Sequence, residues 1–319
     1  MAVLVGIDEA GYGPILGPLL VTATTFSLPS ALLQADLWHV LQQSVSQSKR
    51  RLRGRLLIAD SKKAHSKTGG VDHLERTTLA VLRILNQRPA SLMALLQLLS
   101  PDSVERLRDY PWYDGIDSHA LPVDDADKDI AASAFVHDMG LVDMRLIKIE
   151  SSCLDVAYFN TLVASVRNKA NVLFTVTCGL LERAFEQTPD EDFQVVIDRQ
   201  GGRIHYRDSL QRMFPGSELR ILREGASVSS YEMSQAQRRL RVHFVVRADN
   251  RCLPVSLASM VSKYLRELLV ANLNAYFISF CGDLKPTAGY WQDGTRFIEE
   301  VRAKLPDIKF DDHQFIRSR

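Results

Sequence analysis

With 319 residues, 46% of them hydrophobic and 24% charged, the chain has the composition of a globular protein able to bury a substantial core. A net charge of +1 excludes a protein that grips nucleic acid through bulk positive potential, though not one with a local basic groove. No run reaches the roughly 18 apolar residues of a membrane span, the four cysteines form no CxxC pair, and the opening Met-Ala-Val-Leu-Val-Gly-Ile-Asp lacks the basic start of a secretory signal. The expectation is a cytoplasmic protein without membrane association.

Residues 3–8 are a short apolar run stopped by Asp-Glu-Ala-Gly, which reads as a buried strand ending in a loop. Leu19 to Phe26 reads as a second strand, near enough to pair antiparallel with the first. Residues 30–47 suggest a helix from the spacing of Leu32, Leu33, Leu37 and Leu41. Asp60-Ser61 suits the cap of a short helical turn, and Asp72 to Leu85 reads as a helix. Met144 to Ile149 alternates as a strand does, Asn168 to Phe185 is helical in pattern, and Phe193 to Ile197 is a strand ending at Asp198. Strands follow at Leu219 to Leu222 and Val242 to Val246, the latter ending near Asp249. Pro254 suits the first turn of a helix running to about Ala275, and a last helix spans Gly294 to Ala303.

Two stretches read as insertions: residues 88–141, with helical pieces around Tyr110-Pro111-Trp112-Tyr113, and the polar residues 223–240. The aromatics beside Pro111 read as local core or as a nucleic-acid platform, and Asp124, Asp125, Asp127 and Asp129 as the solvated start of a helix. Lys49, Arg50, Arg51, Arg53 and Arg55, like Arg238, Arg239 and Arg241, form basic patches that read as solvated faces or phosphate tracks. The alternation of strands and helices after an early hairpin predicts an α/β fold, a mixed central sheet flanked by helices. The expected organisation is a catalytic domain over residues 1–275, with a C-terminal helical extension over 276–319 packed on it.

Three apolar runs each end at a carboxylate: Asp8-Glu9, Asp198 and Asp249. Ligands gather at strand ends in open α/β sheets, so acids far apart in sequence can meet there. Acids pressed together need a counter-charge, which magnesium or manganese supplies to oxygen ligands. The same residues read equally as caps or turn acids. Asp8 and Glu9 can share a metal only if the strand bends or ends there, since neighbours on a strand point to opposite faces.

These residues resemble type 2 ribonuclease H, the ribonuclease HII and HIII family. Gly6-Ile7-Asp8-Glu9-Ala10-Gly11-Tyr12-Gly13-Pro14 is similar to its opening motif, and Asp60-Ser61-Lys62-Lys63 to its second signature. Val196-Ile197-Asp198 and Arg247-Ala248-Asp249, with Ser256, Ser259 and Lys263 beyond, resemble its later acidic stretches. The resemblance implies a ribonuclease H-like fold and two Mg2+ or Mn2+ ions held by Asp8, Glu9, Asp198 and Asp249. It also implies hydrolysis of RNA in RNA–DNA hybrids, or at ribonucleotides embedded in duplex DNA. Gly11, Tyr12 and Gly13 would meet the ribose, Ser61, Lys62 and Lys63 the phosphates, and Tyr290 a deoxyribose. Tyr12 replaces the family's arginine, and Thr287-Ala288-Gly289-Tyr290 alters its His-Lys-Gly-Tyr. Two rival functions stand beside this one: a nuclease of the same fold acting on other structured or single-stranded nucleic acid, and a nucleic-acid-binding protein without turnover.

Overall fold

The computed structural model describes residues 1–50, 52–65, 70–123, 125–188, 192–235 and 238–318; Arg51 and Asp124 lie outside them. In chain order the elements begin with strands β1 (Ala2–Ala10) and β2 (Leu19–Leu28), helix α1 (Leu37–Val40), and the two-residue strands β3 (Val45–Ser46) and β4 (Leu56–Leu57). Helices α2 (Ser61–Ala64), α3 (Asp72–Ile84), α4 (Leu92–Leu99), α5 (Val104–Arg108) and α6 (Ala126–Gly140) lead to β5 (Arg145–Leu154). Then come α7 (Val156–Val166), α8 (Lys169–Glu186), β6 (Asp192–Asp198), α9 (Arg207–Met213), β7 (Glu218–Glu224), β8 (Val228–Gln235) and β9 (Arg238–Val245). Helices α10 (Leu253–Phe280), α11 (Trp291–Lys304) and α12 (Asp312–Phe315) complete the chain.

The main sheet has the order β5-β2-β1-β6-β9-β8-β7. It is antiparallel at both ends and parallel in the centre, where β1 pairs with β6 and β6 with β9. Helices cover both faces. On β1, Val3, Val5 and Ile7 join the core formed with α7 and α8, while Leu4 joins the core formed with α10 and the helices of 88–141. The mixed α/β sheet expected from the sequence is therefore present. Among the described residues, no helix is long and apolar enough to cross a membrane.

Three stretches differ from the sequence expectations. Residues 30–47 are not one helix but a 3-10 turn at Ser30–Leu32, the short α1 and β3. Asp36 explains the break, because its carboxylate accepts from Trp38 N at 3.0 Å and caps a new helix. Leu37 and Leu41 are still buried, so the leucine spacing reported burial without continuous helix. Residues 223–240 are not an excursion but carry β8, a full strand of the main sheet. Its polar composition hides the burial of Ser229, Ser230, Tyr231 and Met233. Third, α7 arises where no helix was expected, started by Asp155 accepting from Tyr158 N.

The 88–141 segment is helical and belongs to the core. Trp112 is 3% exposed and packs against Phe277 and Phe315, which rules out a surface aromatic platform there. Asp125 caps α6, Asp127 pairs with Arg76 at 2.5 Å, and Asp129 pairs with Arg83 at 2.8 Å. These acids start a helix, as expected.

One contact seats α10 on the sheet. A Cβ added at Gly6 would lie 2.2 Å from the backbone of Pro254 and Val255, so only glycine lets the helix cross β1 so closely. The Pro254 carbonyl left facing the sheet accepts from Thr24 Oγ1 at 2.8 Å. Gly6→Ala is therefore expected to destabilise the protein by about 2 kcal/mol or more through overpacking against backbone. Urea unfolding checks this, and a midpoint equal to wild type would show that the crossing is not locked at Gly6.

Candidate functional site

Asp8 and Asp198 come together because β1 and β6 pair in parallel. Ile7 is in register with Ile197, so Asp8 and Asp198 follow side by side at the ends of β1 and β6. Both lie on the α10 face, in phase with Leu4 and Val196. Next in the sheet is β9, and the chain turns directly after it through Arg247, whose φ of 53° is left-handed. Asp198 Oδ1 accepts from Ala248 N at 2.6 Å and pins this turn, which brings Asp249 back toward the strand ends.

Strand β1 runs through Ala10 and does not stop at Glu9, so Glu9 leaves it on the opposite side from Asp8. Even so, their carboxyl groups come within hydrogen-bonding reach. Helix α10 lines the far side: Ser259 lies beside Asp8, and Ser262 Oγ is 3.2 Å from the Asp8 carbonyl and 2.7 Å from Thr22 Oγ1.

Burial and nearby negative charge raise the pKa of all four acids. Burial, then the charges of Glu9 and Asp198, push Asp8 well above the usual carboxylate range. Burial and Asp198 raise Glu9 to about 7. Burial chiefly raises Asp198 to about 6, with Asp249 adding repulsion, and Asp249 is itself raised by burial and by Asp60. Asp60 is thus a fifth carboxylate at the site, and its side chain also caps α2 by accepting from Lys62 N at 2.8 Å. That second role is what the Asp-Ser pattern signalled. Lys62, exposed on α2, opposes the charges of Glu9, Asp198 and Asp249. Lys63 is turned aside, its Nζ donating to Asn250 Oδ1 at 2.7 Å, and Ser61 is buried, accepting from Ser259 at 3.1 Å.

Carboxylate oxygens that repel one another suit a hard divalent cation in their chemistry. Their arrangement is open, however: among the described residues, no three acidic, histidine or cysteine side chains converge into a ready-made coordination shell. Asp8, Asp198 and Asp249 each turn one oxygen to an internal donor, namely Glu9 N at 2.8 Å, Ala248 N at 2.6 Å and Asn250 Nδ2 at 3.0 Å.

The second group of expected residues surrounds the glycine loop after β1. Gly11 has φ +96°, and a Cβ there would lie 2.6 Å from the Pro18 carbonyl and 2.7 Å from Arg266 Nε. The loop docks on the segment before α11 through Ile15 N and the Gly289 carbonyl at 2.7 Å. Tyr290, 49% exposed, therefore stands beside Gly13, where a Cβ would meet its ring at 3.9 Å. Two buried arginines that sequence reasoning did not assign hold this region. Arg266 donates to the Leu16 and Ala288 carbonyls at 3.2 and 3.0 Å, and Arg317 to those of Gly11 and Tyr12. Burial, followed by repulsion from Arg266, lowers the Arg317 pKa to about 9. Nothing in the sequence near Arg317 marks it, because its partners lie about 300 residues away.

No protein-family model matches the chain, and no curated protein matches it in sequence. Among solved structures it is similar to the ribonuclease HII of Archaeoglobus fulgidus, determined in complex with PCNA, at 16% identity and a TM-score of 0.47, covering 99% of this chain and 94% of that one. It is also similar to ribonuclease H3 of Aquifex aeolicus, at 14% identity and a TM-score of 0.45, covering 98% and 71%. For ribonuclease H2 of Pyrococcus horikoshii the identity is 14%, the TM-score 0.41 and the coverage 96% and 90%. Likeness at this level says nothing of activity, which rests on the residues themselves.

The raised carboxyls bind protons more tightly folded than unfolded. Their contribution to stability is full below about pH 4 and is lost as the pH rises through 6 to 7. In chelator, Asp198→Asn is expected to narrow the difference in melting temperature between pH 5 and pH 8 and to raise the value at pH 8, by about 2–4 °C for each kcal/mol relieved. Thermal unfolding of both proteins at both pH values measures this; identical pH profiles would mean that neither burial nor neighbouring charge raises the Asp198 pKa.

Proposed function

We propose that this protein is a metal-dependent endonuclease of the ribonuclease H type, acting on RNA in RNA–DNA hybrids or at ribonucleotides embedded in duplex DNA. What supports the proposal is that Asp8 and Asp198 stand side by side on the paired strands β1 and β6, with Glu9 next in β1 and Asp249 in the turn after β9, and that burial raises the pKa of each. Such a site is costly to the fold unless a cation completes it. Asp8, Glu9, Asp198 and Asp249 would hold two Mg2+ or Mn2+ ions, which when bound supply the positive charge that activates a water and stabilises the leaving oxygen of a phosphodiester.

The other residues position the strand. Lys62 presents an exposed ammonium beside the acids and offers a phosphate a point charge without fixed geometry. The Gly11–Gly13 backbone, held from behind by Arg266 and Arg317, lets a sugar approach without a side chain between. The half-exposed Tyr290 offers a ring beside Gly13 for the next sugar. Asp60 caps α2, and Ser259 of α10 donates to Ser61 there.

Gel cleavage of a duplex with one embedded ribonucleotide, a long hybrid and an all-DNA control, in Mg2+, Mn2+ or chelator, tests the proposal. Metal-dependent cutting confined to the ribonucleotide substrates is expected. Asp8→Asn and Asp198→Asn should each lower it by more than about 100-fold, the upper end of what loss of a supporting residue costs a metal site. Cutting of the all-DNA control instead would establish a nuclease of different substrate. Binding without cutting in any metal would leave a nucleic-acid-binding protein.

A further inference from the structure

The sheet face that carries Asp8 and Asp198 continues onto β9, β8 and β7. Register fixes which residues stand there: Val196 pairs with His243, His243 with Ser230, and Ser230 with Arg223. One row further from the acids, Gln194, Arg241, Glu232 and Arg220 follow in the same way. The opposite face holds the buried Tyr231, Met233, Leu240, Val242 and Phe244. Alternation alone would send Arg220 and Arg223, three residues apart, to opposite faces. The register shift between Ile221 and Arg223 takes up Leu222 as an extra residue and brings both arginines to the side of the acids. Their charges are not cancelled there. Arg241 Nε pairs with Glu232 at 2.9 Å, and Glu218 shares the farthest row with Arg239 across Ser234. Arg220 and Arg223 are exposed, and their side chains have neither a hydrogen bond nor an ion pair among the described residues. Arg251, also exposed, lines the cavity over Val196 and Val245 of the same face. Arg238, by contrast, turns away and donates to the Phe185 and Thr188 carbonyls. Strand β7 is the last of the sheet, and its bulge and charges disfavour the addition of another strand. Free guanidinium groups on a polar surface instead suit phosphates.

We propose that the open face of β7–β9 is a phosphate track, on which Arg220 and Arg223 meet backbone phosphates of the duplex arm that extends from the acids. The inference rests on the nuclease reading for the identity of the duplex. Charge and continuity select this occupant. Arg223 lies three strands from Asp198 on one face, about 15 Å away, a distance that about four nucleotides of a duplex strand cover. A duplex held at the acids and lying toward β7 would therefore run over both arginines. Phosphate contacts carry no sequence information, so the track would fix the path of the duplex and its affinity without choosing bases.

Fluorescence anisotropy of the full chain with a labelled RNA–DNA hybrid of two helical turns, in calcium and in chelator, tests this across a range of salt concentrations. The double variant Arg220→Ala/Arg223→Ala should lower the slope of log affinity against log salt by about 2 and weaken binding about 30-fold at physiological salt. Lysine at both positions should restore the slope, because a phosphate contact needs the charge. Arg145→Ala, an exposed arginine on β5 at the other edge of the sheet, should leave slope and affinity unchanged. Circular dichroism checks that each variant is folded, as exposed sites allow. Wild-type slope and affinity in the folded double variant would overturn the track. So would an equal loss in Arg145→Ala, which would mean bulk charge, or a wild-type protein that does not bind the hybrid. Because hydrolysis is not read here, a protein that binds through Arg220 and Arg223 yet never cuts would sink the nuclease reading and leave the track standing.

Discussion

The crossing of α10 over β1 at Gly6 sets the position of nearly every residue at the site. With no Cβ between them, the helix lies against the strand backbone, and its successive turns then reach different parts of the site. Ser259 meets Asp8 and Ser61, Ser262 meets the Asp8 carbonyl, and Arg266 meets the carbonyls behind the glycine loop. Met260 Sδ accepts from Ala59 N at 3.4 Å, just ahead of the Asp60 turn. A helix displaced outward by one methyl group would loosen all of these contacts together, because a packed core transmits strain instead of absorbing it.

The second constraint is electrostatic and opposes the first. Tight packing buries Asp8 and leaves Glu9 and Asp198 largely desolvated, so the sheet holds like charges that raise one another's pKa. Lys62 relieves this only in part, since it is exposed and screened. A fold that keeps such acids buried near one another gives up stability to do so. Asp8, Asp198 and Asp249 each take a backbone or amide donor as a favourable partner.

The glycine loop is governed by cations. Arg317 satisfies the carbonyls of Gly11 and Tyr12, and Arg266 those of Leu16 and Ala288 behind the loop. Tyr12 removes the charge that the resemblance implies at its position, yet its ring carries Lys169 from another element. Positive charge returns to the loop by a route that motif comparison does not reveal.

Local sequence was enough for the elements whose burial pattern repeats at short range. The β1–β2 hairpin, the Asp60 cap, α3, α8 and the strand ending at Asp198 could all be read from alternation, helical spacing and capping residues. The four acids proposed as the site stood out for the same reason, each at or just beyond an apolar run. Strand β8 was hidden because its inward residues are Ser229, Tyr231 and Met233, whose burial depends on the sheet they join. The 30–47 stretch misled because leucines at helical spacing can be buried along a broken path, and Asp36 decided the break. Register and long-range contact lay beyond the sequence. The neighbouring of Asp8 and Asp198 comes from a parallel pairing 190 residues apart, by the register Ile7 with Ile197. The places of Lys169 over Tyr12 and Arg317 under Gly11 come from chain segments meeting in space, where no short-range pattern records the contact.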